Sequence, residues 1–486
     1  MDQIMKNTLK LRIYIIILII FPLKACDDLL VEDPPSNISL ANFYQSEEDV
    51  LVGLYGAYSN LYGLVSQAPN YGEMIADDMT ISPIVPDAFE WDEFTFNSEV
   101  TSGLWSQCYS AINRTNEVIR YTEGIDFEVG RKADLIAEAR ALRAIYYFHL
   151  ARAMGGVPLY DSPTVGFDNI YEPRSTEDAV YDFIIQDLQI AADELEPSSP
   201  SGRINSDIAN ALLARIYLYR GDFQNALSHA EAVINSGRYR LLDDYADLFK
   251  AENNNSIEHI YQIQYLSGEI NNPLPGRYGP RAPSGPYGKS FWAGTTIPGS
   301  YAPSAEFVAE NPESYRRSVT IADHYDHIDG VSGVITMLEV YGGGFPYYIS
   351  KFNDREGELQ SGVNYTVMRY ADILLIAAEA LNETDPTDPK KYEWINRVRE
   401  RARNGVESDL PDLTATNQDQ FRTAVLEERR FELAFENQRA WDLKRRNLFL
   451  NKMRAQGKNV EDFMLLFPIP DMQTQLNPNL EQNPGW

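Results

Sequence analysis

The sequence predicts a mainly α-helical fold, in which a repeat-like helical scaffold carries a loop-rich, irregular region and has little β structure. Apolar residues recur at three- and four-residue spacing in two blocks, at about 40–240 and about 365–445, as amphipathic helices require. Between the blocks, at about 253–350, the composition shifts to Gly, Pro, Asn and Tyr. A Pro-rich tail at about 465–486 cannot continue a helix, and we expect it to lie extended across the domain.

The first 25 residues have the pattern of a secretory signal peptide. Three basic residues precede the apolar run 13–23, which is too short to span a bilayer because a spanning helix needs about 20 apolar residues. The small residue Ala25 precedes Cys26, so cleavage between them leaves a cysteine at the new N-terminus, as in bacterial lipoproteins. Lys24 departs from the lipoprotein pattern, which usually has a small uncharged residue there. We expect a lipoprotein signal peptide over 1–25, and the alternative is a plain secretory signal with an incidental cysteine.

Lipid on Cys26 would hold the protein at a membrane. Each buried methylene contributes about 0.8 kcal/mol and one acyl chain binds only marginally, so several chains are needed for a stable anchor. Cys108 would then be the only cysteine of the mature chain, and no intramolecular disulfide could form. Stability must therefore come from an apolar core.

The clearest helical unit is 210–239, NALLARIYLYRGDFQNALSHAEAVINSGRY. Two amphipathic helices are joined by the tight turn Gly221-Asp222, and small and large apolar residues alternate so that the paired helices can approach closely. The unit resembles a tetratricopeptide repeat, with an ordinary helical hairpin as the alternative. Similar pairs occur at 132–195 and 367–404 with irregular spacing, which indicates a repeat-like scaffold and not a regular solenoid.

The charge and the aromatic content restrict the function. The formal net charge of −29 repels nucleic acid and anionic lipid surfaces, so a role in binding either is excluded. The chain contains 30 Tyr, 21 Phe and 6 Trp, which suits aromatic ligand platforms although most of these rings must pack in the core. The aromatic residues of 253–350 argue against simple disorder there.

Seven segments together resemble the SusD/RagB family of outer-membrane nutrient-binding lipoproteins, in family order and over essentially the whole mature chain. They are NFYQSEEDVLVGLYGAYSNLY (42–62), LWSQCYSAINRTNEVI (104–119), AEARALRAIYYFHLARAMGGVPL (137–159), RSTEDAVYDFIIQDLQIAADEL (174–195), MRYADILLIAAEAL (368–381), LEERRFELAFENQRAWDLKR (426–445) and LLFPIPDMQTQLNPNLEQNPGW (465–486). The resemblance implies a single SusD-like domain over 26–486. It also implies a lipid-anchored protein, exposed on the cell surface of a Gram-negative bacterium, without a cofactor or enzymatic activity.

The resemblance further implies what the protein binds. Family members capture oligosaccharides, or in some cases peptides, and pass them to a SusC-like TonB-dependent outer-membrane barrel. A lid that opens about a hinge at the barrel mouth is the implied mechanism, and we expect the helical repeat surface to contact the barrel. A surface glycoside hydrolase and a purely structural helical adaptor are the alternatives from other classes.

The charged residues within the motifs predict structure and not chemistry. Arg143, Arg369 and Arg439 lie within apolar segments near Glu138, Asp372 and Glu436, respectively, as buried ion pairs would require. Four glutamates alternate with arginines on one predicted helix, where residues four apart pair, so they do not indicate the two carboxylates of a glycosidase. These are Glu427, Glu428, Glu432 and Glu436.

No other motif predicts a catalytic or metal site. There is no G-x-S-x-G, and GPYGKS (285–290) lacks the first glycine of a phosphate loop because Pro283 stands there. The cluster DHYDHID (323–329) holds five side chains that could bind calcium or zinc, namely Asp323, His324, Asp326, His327 and Asp329. We interpret them as solvated loop residues and predict no metal.

The predicted ligand residues are aromatic and polar residues outside the helical pattern. Sugar C–H faces stack on flat aromatic rings while their hydroxyls bond to Asp, Asn and Arg. Core packing is the alternative for each aromatic residue. The predicted set is Trp91, Tyr287, Trp292 and Tyr301, with Arg281 as the basic loop residue nearest them and Asp77 and Asp78, which match a short acidic pattern of the family near the ligand face.

Overall fold

A computed structural model describes residues 43–81, 89–164, 170–279, 301–326, 334–336, 346–352, 360–406, 408–414 and 417–486. The predicted signal peptide and Cys26 lie outside these residues, as do Arg281, Tyr287 and Trp292. The helices of the first block are α1 Glu47–Pro69, α2 Phe89–Asp92, α3 Ser102–Thr122, α4 Val129–Met154, α5 Glu177–Glu194, α6 Ser206–Arg220 and α7 Phe223–Asn235. Those that follow are α8 Leu274–Tyr278, α9 Ala305–Glu310, α10 Tyr315–Thr320, α11 Tyr370–Thr384, α12 Lys390–Arg403, α13 Gln418–Glu432, α14 Arg439–Arg445, α15 Phe449–Ala455 and α16 Asp471–Leu476.

The long helices pack as a series of neighbours in chain order, which confirms the mainly α, repeat-like fold. Helix α3 packs between α1 and α4, α4 packs on α5, α5 on α6, and α6 on α7. Helix α7 then packs on α11, which joins the two halves of the scaffold, and α11 packs on both α12 and α13. None of the described helices combines the length and the apolar character needed to cross a bilayer.

The predicted hairpin at 210–239 is present, and its ends have clear local causes. Asn205 caps the start of α6 by accepting from the Ile208 amide at 2.9 Å. Gly221 ends α6 in the left-handed conformation at φ 72°, which glycine adopts without steric cost. The side chain of Asp222 then caps α7 by accepting from the Asn225 amide at 3.1 Å.

The β structure consists of short antiparallel pairs. Among the described residues, β1 pairs with β3, β2 with β8, β4 with β7 and β5 with β6. The strands are β1 Met79–Ile81, β2 His259–Ile263, β3 Tyr301–Pro303, β4 Ile321–Ala322, β5 His324–Asp326, β6 Val334–Thr336, β7 Tyr348–Ile349 and β8 Tyr365–Arg369. The C-terminal tail runs irregularly over the domain but, contrary to a fully extended path, forms the short helix α16 after Pro470.

Buried ion pairs are present as predicted, but their predicted partners are wrong. Arg143 pairs with Asp187 at 2.8 Å, and Arg369 pairs with Glu258, Glu432 and Glu436 at 3.3, 2.5 and 2.8 Å. The partners of the remaining residues are Arg203 for Glu138, Arg215 and Arg429 for Asp372, and Asp77 for Arg439. Arg369 and Glu436 were both predicted to lie in buried pairs, and they pair with each other. The predicted partner of Arg369 was Asp372, and that of Glu436 was Arg439.

Gly156 lies where the chain leaves α4, and there is no room there for a side chain. A Cβ atom at Gly156 would lie 2.1 Å from the carbonyl oxygen of Ser175 and 3.2 Å from the amide nitrogen of Glu177. We expect Gly156→Ala to lower the free energy of unfolding by about 1–3 kcal/mol, because backbone must move to admit the methyl group. Gly276→Ala is the matched control, since a Cβ there meets nothing within 4 Å. Equal urea midpoints for the two variants would contradict this close approach.

Candidate functional site

Strands β1 and β3 bring two distant parts of the chain to one place. They are antiparallel, and Ile81, the last residue of β1, pairs with Tyr301, the first residue of β3. The chain therefore leaves β1 at the same end of the strand pair at which it enters β3. The predicted ligand residues Arg281, Tyr287 and Trp292 belong to the segment that enters β3.

Asp77 and Asp78 fix this strand pair to the C-terminal helices. Asp77 accepts two hydrogen bonds from Arg439, at 2.6 and 2.7 Å, and Asp78 accepts one from Nε of Arg430 at 2.6 Å. The backbone carbonyl of Asp77 accepts from the hydroxyl of Ser304 at 2.5 Å, and that of Asp78 accepts from the Ser304 amide at 2.8 Å. These bonds connect the residues just before β1 to the residue just after β3, and anchor both on α13 and α14.

The electrostatics of the two aspartates differ although they are adjacent. Burial opposes the charged form of Asp77, but the hydrogen bonds and charge of Arg439, with help from Arg430, lower its pKa to about 2. Burial raises the pKa of Asp78 to about 6, against the attraction of Arg430, and the negative charge of Asp77 raises it further. Both side chains are fully buried and serve to hold the fold together.

A cleft of about 580 Å³ opens beside the β1–β3 pair, and we call it the β1–β3 cleft. Most of its lining surface is apolar, but polar side chains are present: Lys458 bonds to Asp92 at 2.6 Å, and Asp92 also accepts from the hydroxyl of Thr80 at 3.1 Å. The lining includes Met79, Thr80, Asp92, Pro303, Ser304, Glu306, Tyr347, Gln456 and Lys458. Tyr347 is a half-buried ring on this wall, and the guanidinium of Arg317 lies 5.5 Å from its centroid. The cleft offers hydroxyl, amide and carboxylate groups beside one aromatic ring, which suits a hydroxyl-rich ligand.

A second cleft, of about 410 Å³, lies between α3, the segment after α4 and the C-terminal tail. We call it the tail cleft. Its aromatic lining consists of Trp105, Tyr109, Tyr160 and Tyr171. Trp105 and Tyr109 lie 4.5 Å apart between ring centroids, and Tyr171 is 51% exposed. Asn113 and Asn477 add amide groups to the lining.

The structure corrects four of the predicted site residues, because they are buried. Trp91 is 5% exposed and packs on Tyr71 with ring centroids 4.9 Å apart, while Tyr301 is 6% exposed and donates to Asn70 at 2.9 Å. Asp77 and Asp78 are enclosed in the ion pairs described above. The expectation that these four side chains face a ligand is wrong: position outside a helix does not make a ring exposed, and the two carboxylates are needed by buried arginines. Arg281, Tyr287 and Trp292 remain predicted ligand residues.

The sequence reasoning missed Tyr347 and the aromatic set of the tail cleft. Trp105 lies in a helical pattern and is 7% exposed, yet it also lines the tail cleft. Tyr347 follows a Gly-rich stretch within the predicted irregular region, so the criterion that selected Tyr301 would have selected it as well.

Two glutamates of α13, Glu428 and Glu432, are held in buried ion pairs with residues from other elements, while Glu427 is exposed. Glu428 pairs with Arg316 at 2.5 Å and with Arg399 at 2.6 Å. Burial opposes ionisation of Glu432, but Arg401, Arg369 and Arg316 hold its pKa well below the ordinary range. A carboxyl group with a strongly raised pKa is found at Glu73, where complete burial and the nearby Asp78 raise it. Glu73 lines neither cleft.

The DHYDHID cluster is described only in part. The side chains of Asp323 and His324 are exposed and lie 2.5 Å apart, while His327 and Asp329 lie outside the described residues. No group of three or more His, Cys, Asp or Glu side chains suited to a metal is found in the described parts of the chain.

The buried carboxylates predict acid lability. The pKa of Asp77 is lowered to about 2, and buried arginines also lower the pKa of Asp372 and of Glu432. A carboxyl whose folded pKa is below its unfolded value stabilises the fold above the unfolded value, and that stabilisation is lost as the pH falls through the folded value. Asp78 acts in the opposite sense, since its raised pKa favours the fold below its ordinary 3.8 and loses that effect as the pH rises through about 6.

Because the lowered groups outnumber the raised ones, we expect the free energy of unfolding to fall steadily between about pH 4.5 and pH 2. Urea unfolding at a series of pH values measures it. Asp412→Asn, which removes a carboxylate that is 53% exposed, should leave the profile unchanged. Equal stability at pH 7 and pH 3 would contradict the assignment of these carboxylates to ion pairs.

Comparison with known proteins defines the class. One family model, described as the SusD family, matches residues 343–486, and a second, described as starch-binding associating with outer membrane, matches residues 30–218. SusD-like protein P2 of Formosa agariphila is 30% identical over 519 residues, and the alignment covers 97% of this chain and 98% of that protein. The chain therefore belongs to the SusD family.

Solved structures show the same fold. A laminarin-binding SusD-like protein has a TM-score of 0.77 at 24% identity, covering 91% of this chain and 100% of that one. Surface glycan-binding protein A from Bacteroides thetaiotaomicron, in complex with laminarihexaose, has a TM-score of 0.73 at 22% identity, covering 90% and 99%. At these identities the likeness establishes the fold.

Proposed function

We propose that the chain is a cell-surface lipoprotein that binds oligosaccharide or polysaccharide and delivers it to a SusC-like TonB-dependent outer-membrane transporter for uptake. Lipid on Cys26 would hold it at the outer membrane. Membership of the SusD family supports the proposal, as does the resemblance in fold to proteins that bind laminarin or laminarihexaose. No step of this function requires a cofactor or a change of protonation.

The observation that carries the proposal is the β1–β3 cleft. Its volume of about 580 Å³ is in the range of ligand sites, about 300–1,000 Å³. Its wall combines the Tyr347 ring with side chains that donate and accept hydrogen bonds, including Lys458 and Gln456. In sequence, the predicted ligand residues Tyr287 and Trp292 precede β3, whose Pro303 lines this cleft, and we propose that they contribute to the same site.

A site of this kind binds its ligand loosely. An open cleft buries only part of a sugar chain, and dissociation constants from micromolar to millimolar, about −8 to −4 kcal/mol, are expected. Tethering beside a transporter offsets the weak affinity by raising the effective concentration of captured ligand. The helical repeat surface is the proposed face for the barrel, since stacked helix pairs present extended surfaces.

Affinity electrophoresis in gels that contain laminarin, starch or other polysaccharides tests the proposal. We expect at least one glycan to retard the mature protein, and we expect Tyr347→Ala and Trp292→Ala each to weaken binding about tenfold or more, equivalent to about 1.4 kcal/mol. Tyr171→Ala is the control, because Tyr171 lies in the tail cleft and is 51% exposed.

Three results would overturn parts of the proposal. Retention of peptides and of no glycan would replace the ligand class with the peptide alternative. Loss of glycan binding in Tyr171→Ala, with Tyr347→Ala and Trp292→Ala unaffected, would move the site to the tail cleft. Release of free sugars from the glycan by the wild-type protein, and not by Glu428→Gln, would show an enzyme instead.

A further inference from the structure

A cavity of about 70 Å³ lies within the helical scaffold, apart from both clefts. Side chains from α1, α3, α4, α6, β2, β8 and α14 line it, and most of them are apolar. Its size admits a few water molecules or one small ion. Among the polar side chains of the lining are Arg152 and His149 of α4, Arg215 of α6 and Asn437.

Arg152 brings a positive charge to this cavity without a carboxylate partner. Its guanidinium lies over the rings of Phe148 and Trp441, 4.4 and 4.7 Å from their centroids. It contacts Nδ1 of His149 at 3.2 Å, and its Nε–H has no hydrogen-bond partner. Burial lowers the pKa of Arg152, and among the described residues the groups that also shift it are Tyr219, Arg215 and Tyr181, none of which is a carboxylate. The Nε atom is buried although the side chain as a whole is partly exposed, and a counter-charge beside a cation in such a position would stabilise the fold.

The neighbouring acidic side chains are already paired with other arginines. Arg215 bonds to Asp372 at 2.5 Å, and Asp372 bonds to Arg429 at 2.6 Å. The alternation continues in a series that contains as many carboxylates as arginines: Arg429 with Asp442, Asp442 with Arg445, and Arg445 with Glu379. This series balances its own charge and leaves none for Arg152.

His149 does not supply a further charge. Burial lowers the pKa of His149 well below its ordinary value, and the positive charges of Arg152 and Arg215 lower it further. The imidazole is therefore neutral at neutral pH. The excess charge at the cavity is the single charge of Arg152.

Three residues of the cavity lining each hold a polar atom that has no hydrogen-bond partner. These atoms are Nε of Arg215, the hydroxyl of Tyr261 and Oδ1 of Asn437. The first two can donate to an occupant. The other end of the Asn437 amide bonds to the hydroxyl of Tyr365 at 3.0 Å, and since a hydroxyl both donates and accepts, either end of the amide can face the cavity.

We propose that this cavity binds one small monovalent anion of the chloride class beside Arg152. The anion is monovalent because Arg152 carries one excess positive charge, and it is small because the cavity is small. The unpartnered N–H and O–H groups supply the hydrogen-bond donors. Formate shares this chemistry and is distinguished from a halide by the experiment. The site holds the scaffold together and takes no part in glycan capture.

Crystals of the mature protein grown with bromide in place of chloride test the site directly. We expect an anomalous bromide peak in the cavity within about 3.5 Å of Arg152 Nε. Density for water alone, without an anomalous peak, would overturn the proposal. If crystals that contain formate show planar density in the cavity and no bromide peak, the occupant is formate. That result would support an anion site.

Thermal unfolding in solution supplies a second test that does not depend on crystals. At constant ionic strength, we expect a higher Tm in sodium chloride than in sodium gluconate, whose anion is too large for the cavity. Arg152→Met should lose this difference. Arg220→Met should keep it, because Arg220 likewise lies over a ring, 4.8 Å from the Tyr181 centroid, but pairs with Asp178 at the surface. A chloride-dependent difference that survives in Arg152→Met would contradict the site.

Discussion

Arg369→Met is expected to lower the free energy of unfolding by about 3–5 kcal/mol or to prevent folding, the largest effect of any single ion-pair change considered for this protein. The Arg369 guanidinium donates to Glu436 at 2.8 and 2.9 Å and to Glu432 at 2.5 Å, and all three side chains are almost completely buried. Methionine fills similar space but leaves three carboxylates, those of Glu258, Glu432 and Glu436, without this partner. Burial then raises their free energy, because a charge in a low-dielectric interior must be paired.

Urea unfolding followed by circular dichroism measures the change. Arg240→Met is the matched control, since Arg240 pairs with Asp243 at the surface, where the two side chains are 57% and 99% exposed. Exposed pairs of this kind contribute about 0–1 kcal/mol. A difference of less than about 1 kcal/mol between the two variants would contradict the role of Arg369 at the centre of a buried network.

Trp91→Ala is expected to destabilise the fold by about 3–5 kcal/mol, because it removes a large ring from a close-packed cluster. Trp91 lies 4.9 Å from Tyr71, 5.3 Å from Phe96 and 5.8 Å from Phe467, measured between ring centroids. The cluster joins the segment after β1 to the C-terminal tail, so its loss loosens both. Differential scanning calorimetry measures the drop in Tm.

Substitutions of Trp91 also distinguish a role in core packing from a role in ligand binding. Under conditions where the protein is folded, Trp91→Phe should bind glycan with unchanged affinity, since the ring does not reach either cleft. Tyr171→Ala, at an exposed ring, should leave Tm almost unchanged. Full stability of Trp91→Ala, together with loss of glycan binding, would show that Trp91 faces the ligand after all.

The helical scaffold could be predicted from the sequence because its signals are local. Apolar spacing within each helix, and the Gly221-Asp222 turn between α6 and α7, depend on residues only a few positions apart. These features are present in the structure at nearly the predicted bounds.

The partners of the buried charges could not be predicted in the same way. Arg439 and Asp77 are separated by 362 positions, and Arg369 and Glu432 by 63. Sequence showed that these arginines need carboxylates, but the pairing is set by how the helices pack. The nearest acidic residue in the motif was the wrong choice for Arg143, Arg369 and Arg439.

The candidate site was predicted in part. The irregular composition located the region that contains Tyr347 and the segment entering β3, but it could not distinguish a ring that packs inward from one that faces a cleft. Tyr301 illustrates the limit: it lies in a loop-like sequence, yet as the first residue of β3 it is buried against Tyr278, with ring centroids 5.8 Å apart. Exposure in short strands is decided by the element that covers them.

A crystal structure of the mature protein with an oligosaccharide that it retains in electrophoresis tests the central claim most directly. The account predicts sugar rings in the β1–β3 cleft, in contact with Tyr347 and with side chains of the segment that enters β3. Sugar bound only in the tail cleft, against Tyr171 and Trp105, with the β1–β3 cleft filled by water, would contradict it.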